Sequence, residues 1–300
     1  MVKINEPNFM CIGAAKSATT SLFDILKQHP LISVSSFKEP HFFDNSNNYK
    51  KGKQWYLESY FSNNDSKKAI GEFTPTYLSS SVCPKRILAT FGSKMKFIVM
   101  LRNPINRAYS HYLHTKRDEH EDLGFIDAVL KEEDRLKQFN TTDDFISFCQ
   151  FGYIFQGQYA QHINNYLSYF PIDQFHFVLF DDFVNKRKET VDKILSFLNV
   201  GRGVNLELNI SSNQASEARS IKVKKFMKKQ SLLSKFLKFL IPSLELRQRI
   251  RNRIHAKNNK VVSKVPLTLQ QREFCYRNYF YKQILDLERI LAIDLNIWKL

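Results

Sequence analysis

Lys16 stands in a run of small residues, Gly13-Ala14-Ala15-Lys16-Ser17-Ala18-Thr19-Thr20-Ser21, directly after an apolar segment at 9–12. Small side chains let backbone N–H groups close on an anion, and the hydroxyls of Thr19, Thr20 and Ser21 add donors. The helical pattern over 22–28 aims the positive end of its dipole at the same point. That chemistry is phosphate binding. The spacing is not that of a triphosphatase loop, G-x-x-x-x-G-K-[ST]: Lys16 follows Gly13 too closely, and Ala15 takes the place of the glycine before the lysine. The same residues also suit an ordinary strand–turn–helix connection with a surface lysine, so a second feature has to decide. It comes at Lys96-Phe97-Ile98-Val99-Met100-Leu101-Arg102. Here a β-prone run ends on an arginine where a triphosphatase places a metal-binding carboxylate. Ser110 follows about two helical turns later and can give a hydroxyl to the same anion. The pattern describes two phosphate sites on one nucleotide, served by cations and hydroxyls without a metal.

These residues need a scaffold that brings strand ends together. Short apolar runs at 9–13, 32–35, 69–73, 96–102 and 175–181 alternate with helical patterns, which predicts an α/β fold with a parallel sheet covered on both faces. Ligands then lie beyond the carboxyl ends of the strands, where Gly13, Phe73 and Arg102 all fall. The run Phe177-Val178-Leu179-Phe180-Asp181-Asp182 has the look of a metal-carboxylate strand. Without a matching phosphate loop it reads as a core strand ending at a capped turn.

Taken together, the motifs resemble the sulfotransferases that use 3′-phosphoadenosine 5′-phosphosulfate, above all the branch with heparan sulfate N- and 3-O-sulfotransferases and their bacterial relatives. The resemblance spans nearly the whole chain. Besides the Lys16 loop and the Arg102–Ser110 pair, it includes Lys38-Glu39-Pro40-His41-Phe42-Phe43-Asp44, Gly71-Glu72-Phe73-Thr74-Pro75-Thr76-Tyr77 and Gly157-Gln158-Tyr159. Ser216-Glu217-Ala218-Arg219 and Leu295-Asn296-Ile297-Trp298 complete it. It implies a P-loop-like three-layer fold with about five parallel strands. Residues 15–21 (Ala15, Lys16, Ser17, Ala18, Thr19, Thr20, Ser21) would hold the 5′-phosphosulfate. Arg102, Ser110 and Arg219 would hold the 3′-phosphate, Lys16 would stabilise the leaving phosphate, and Glu39 would act as general base. The implied acceptor is a hydroxyl, less readily an amine, on a carbohydrate or glycolipid, with the tract 49–60 bordering its cleft. His41 is the rival base and is read as packing against or orienting Glu39; the bland alternative for Glu39 is a surface ion pair with Lys38. Three residues depart from the family pattern. Phe73 and Glu217 stand where lysines are common, and Ala18 replaces a glycine, which is harmless if its φ is negative.

Three hundred residues with 43% hydrophobic content suffice for a single domain spanning 1–300. The 26 Phe and 13 Tyr are read as core material. Cys11, Cys83, Cys149 and Cys275 are scattered without metal-site spacing, and residues 1–8 carry no signal-peptide core, so a reducing cytoplasm is the expected compartment. Charge is uneven: residues 219–264 hold fifteen Lys and Arg against Glu245 alone, a net of +14 within a chain total of +16. With apolar residues at four-residue spacing and a break at Pro242, residues 219–266 are expected to form a basic helical insertion. It can cover an acidic acceptor, rest on anionic lipid at the inner face of a membrane, or simply present a solvated face. Charge alone also admits nucleic acid, which no other feature supports.

Overall fold

The structure, a computed structural model, describes residues 6–61, 66–139, 145–201, 203–210, 216–218, 259–261 and 265–300. The chain divides into two compact units, one formed by Met1–Ser212 with Leu267–Leu300 and the other by Asn213–Pro266.

The first unit is built on a five-stranded parallel sheet, β1 (Phe9–Gly13), β2 (Ile32–Val34), β3 (Ala69–Phe73), β4 (Lys96–Leu101) and β5 (Phe175–Leu179), in the order β2-β3-β1-β4-β5. This is the expected α/β architecture. The period-2 geometry of a strand explains why the runs are apolar throughout. Met10 and Ile12 of β1 and Phe97, Val99 and Leu101 of β4 enter one core, while Phe9, Cys11, Ile98 and Met100 enter the other. Most of the aromatic residues are core material too: Phe42, Phe43, Tyr56 and Tyr77 are all fully buried.

The strand order has a switch point at β1. From β1 the chain passes through the helix Thr19–Leu26 to β2 on one side of the sheet, whereas β4 lies on the other side. Connections that diverge leave a crevice beyond the carboxyl ends of β1 and β4. Gly13 fits this edge because a Cβ there would come within 2.6 Å of Leu78 Cβ and 3.2 Å of the Pro75 carbonyl oxygen.

Three strand ends differ from the sequence reading. β2 stops at Val34 and β4 at Leu101, one residue early in each case. β5 stops at Leu179, since Phe180 opens the helix Phe180–Asn185. Asp181 and Asp182 lie in the first turn of that helix, where carboxylates suit the macrodipole.

In the second unit, β6 (Ser216–Ala218) and β7 (Asn259–Val261) pair antiparallel with Glu217 opposite Lys260. Within the stretch 219–266, expected to be helical, residues 259–261 form β7 instead, while 219–258, Arg219 among them, lie outside the described residues.

Candidate active site

The loop after β1 is set by two residues with left-handed backbone, Lys16 at φ 69 and Ala18 at φ 64. The condition under which alanine would replace glycine at position 18 without cost, a negative φ, is therefore not met. A side chain in this region costs about 1–2 kcal/mol. The helix Thr19–Leu26 begins immediately afterwards, and no side chain caps its first turn. Its leading N–H groups are thus left for an anion. Ser17 is fully buried and Ala15, Lys16 and Thr20 are half-buried, whereas Thr19 and Ser21 turn inward.

Arg102 follows β4 directly, and its Nη1 donates to the Lys16 carbonyl at 2.9 Å. The two cationic positions expected from sequence therefore meet. The guanidinium also lies 4.6 Å from the centre of the Phe180 ring, a cation–π contact that fixes its plane. Burial lowers its pKa. After it, the Asn103 side chain accepts from the Ile105 and Asn106 N–H groups and caps the helix Pro104–Arg117. Ser110 sits half-buried on that helix.

The segment after β2 brings together the titratable groups Lys38, Glu39, His41 and Asp44. Lys38 Nζ donates to Glu39 Oε1 at 2.9 Å and to Thr19 Oγ1 at 3.2 Å. The ion pair of the bland reading is present, but it also anchors Glu39 to the phosphate loop. His41 Nε2 lies 3.4 Å from Glu39 Oε2, and its Nδ1 lies 2.9 Å from Asp44 Oδ2. Asp44 is fully buried and also accepts from the Thr76 hydroxyl. Burial alone would raise the Glu39 carboxyl, yet Lys38 and His41 together bring it down to about 2. Burial alone would lower His41, yet Asp44 and Glu39 raise it to about 10. Lys16 goes the other way: burial, reinforced by the Arg117 guanidinium, lowers its ammonium to about 7.

Several groups were not singled out from sequence. His114, Arg117 and Asp118, at the end of the helix Pro104–Arg117, act on Lys16 or are acted on by it. Asp118 joins them, 3.0 Å from Arg117 Nε and 3.5 Å from His114 Nδ1. Nothing in their spacing to Lys16 signals this, because the fold brings together positions about a hundred residues apart. Asp44 closes the motif 38–44, and its i,i+3 spacing to His41 is a usable signal in the sequence.

Phe73, which stands where the resemblance places a lysine, is fully buried, with ring contacts to Phe9 and Phe23. The adjacent Glu72 is also buried, accepts from Tyr56 and Thr74, and is raised by burial to about 7. Part of the tract 49–60 is buried. Tyr56, Leu57 and Tyr60 of the helix Gly52–Tyr60 belong to the core.

The family model for the sulfotransferase domain matches residues 6–260. Heparan sulfate glucosamine 3-O-sulfotransferase 5 of Mus musculus is 28% identical over 198 residues, covering 65% of this chain and 54% of that protein. Bifunctional heparan sulfate N-deacetylase/N-sulfotransferase 4 of Mus musculus is 32% identical over 200 residues, covering 65% of this chain and 22% of that protein. The chain thus spans about half, or less, of the length of these relatives. A crystal structure of a sulfotransferase from Alicyclobacillus acidocaldarius has a TM-score of 0.71 at 23% identity, over 99% of this chain and 100% of that one, and shows the same fold. With the family match running from before β1 into the basic stretch and covering most of the chain, the protein belongs to the sulfotransferase-domain family.

Proposed function

We propose that the protein transfers a sulfuryl group from 3′-phosphoadenosine 5′-phosphosulfate to a hydroxyl of a carbohydrate or glycolipid. The observation that carries this reading is the joining of Lys16, Arg102 and Glu39. Arg102 bonds the Lys16 carbonyl, and Lys38 links Glu39 to Thr19 at the end of the same loop. An uncapped helix start and a half-buried lysine suit the 5′-phosphate, and Arg102 with Ser110 suits the 3′-phosphate. Arg219 is proposed to join them on the resemblance alone.

In the transfer, an oxygen–sulfur bond forms to the acceptor as the bond from sulfur to the bridging oxygen breaks, and the electron pair stays on the leaving phosphate. Lys16 meets that charge as a protonated donor, a contribution of about 3 kcal/mol for a well-placed group. Glu39 takes the acceptor proton. It is ionised at neutral pH, and the His41 cation between it and Asp44 holds its orientation. The heparan sulfate named in the relatives supports a carbohydrate acceptor. The basic stretch 219–264 would attract an acidic acceptor or an anionic membrane. Four free, buried cysteines suit a cytoplasmic setting.

Thermal stabilisation by 3′-phosphoadenosine 5′-phosphate tests the reading, measured beside ATP and ADP with and without Mg²⁺. A metal-independent shift with the bisphosphate is expected. A shift with Mg·ATP alone would overturn the proposal and favour a nucleotide kinase.

A further inference from the structure

Arg102 is held at both ends. Its guanidinium donates to the Lys16 carbonyl, and its own carbonyl accepts a 3.0 Å hydrogen bond from the Tyr159 hydroxyl. That carbonyl lies between the last residue of β4 and the Asn103 cap, where the chain leaves the sheet for a helix. Tyr159 is well placed to fix it. It opens the helix Tyr159–Leu167, is 1% exposed, and has its ring centre 6.4 Å from that of Trp298. The Trp298 carbonyl in turn accepts from Asn103 Nδ2. Burial raises the phenol, while the Arg107 guanidinium acts against it. Tyr159 therefore anchors, at the end of β4, the residue whose side chain reaches back to the loop after β1.

We infer that Tyr159 is a positioning residue that sets preference for a nucleotide carrying a 3′-phosphate, by holding the Arg102 backbone while the Arg102 side chain spans the loop. The inference rests on the donor reading above. A phenol that anchors the main chain of an arginine restricts where its guanidinium can swing. Without the hydroxyl, Arg102 keeps its charge and loses its fixed origin. The loss should appear in 3′-phosphate recognition and not in general nucleotide affinity.

The test compares 3′-phosphoadenosine 5′-phosphate with adenosine 5′-phosphate, which lacks the 3′ group, by calorimetric titration of the full chain. The wild-type protein should prefer the bisphosphate. Tyr159→Phe should weaken the bisphosphate by about tenfold, as expected for a buried carbonyl left without its donor, and change adenosine 5′-phosphate by less than about twofold. Arg102→Ala should remove the preference, and adding Tyr159→Phe to it should cost nothing more. Tyr159→His, whose ring N–H can donate to the same carbonyl, should keep part of the preference, and it supplies the test if the phenylalanine variant does not fold. Equal weakening of both ligands by Tyr159→Phe, an unchanged bisphosphate affinity, or a histidine variant as impaired as the phenylalanine one would overturn the inference and leave the donor reading intact. A wild-type protein that ignores the 3′-phosphate would overturn both.

Discussion

Lys16 and Glu39 are linked through Thr19 and Lys38, yet their surroundings treat charge in opposite ways. Around Lys16, burial and Arg117 act against the ammonium and leave it titrating at about 7. Around Glu39, Lys38 and His41 outweigh burial, so the carboxylate at about 2 and the imidazole at about 10 are both charged across the physiological range. The Lys16 side is thus poised to respond to pH and to an incoming anion, while the Glu39 side is fixed as an ion-paired frame. In the proposed reaction, binding would be the pH-sensitive step and orientation of the base the constant one.

The largest test of this contrast is Glu39→Gln. Turnover should fall by about 10²–10⁴ while affinity for 3′-phosphoadenosine 5′-phosphate stays within about twofold, measured by steady-state kinetics and titration calorimetry. Normal turnover would remove Glu39 from the base role. Lys16→Ala comes next, with kcat reduced by about a hundredfold and the bisphosphate bound more weakly as well. If only one of these two quantities changed, the loop would serve a single step instead of both.

A smaller effect is expected from pH. Binding selects the protonated ammonium, so nucleotide affinity should fall as pH rises through about 7, by up to about tenfold per unit well above it. The slope should vanish in Lys16→Ala. A slope that survives that substitution would place the titrating group elsewhere.

The smallest expected effect is on stability. The folded state raises His41 from an ordinary value of about 6.5, so its contribution is complete below that pH and lost as pH rises through about 10. The lowered Glu39 contributes above its ordinary value of about 4.5 and loses that contribution as pH falls through about 2. His41→Ala should therefore lower the melting temperature near neutral pH by a few degrees and matter less above pH 10. An equal drop at both ends would mean that His41 acts through packing alone.

The sequence was most legible where one backbone period and one environment coincide. β1 and β3 are fully buried runs, and their bounds were read correctly at both ends. β5 was read two residues too long because an apolar run continuing into Phe180 does not announce the change of period at a helix start. The phosphate loop was visible in its small residues and lysine. The left-handed backbone at Lys16 and Ala18 was not, since alanine seldom adopts that conformation and only the surrounding contacts enforce it. Phe73 was noticed for the lysine it replaces, but which way a strand-end side chain points depends on register with β1, which no local pattern discloses. Arg117 and Asp118 were hidden for the same reason on a larger scale, as was the link from Tyr159 to Arg102.

At Gly13 the close approach of Leu78 and Pro75 leaves no room for a side chain unless the packing around it shifts. The neighbouring Ala15 is half-buried with some freedom to vary, so the loop's chemistry can drift around a point that cannot. A lineage could exchange acceptors, lose a lysine or gain a basic appendage and still carry this seam unchanged, much as a lock can be rekeyed without recutting its cylinder.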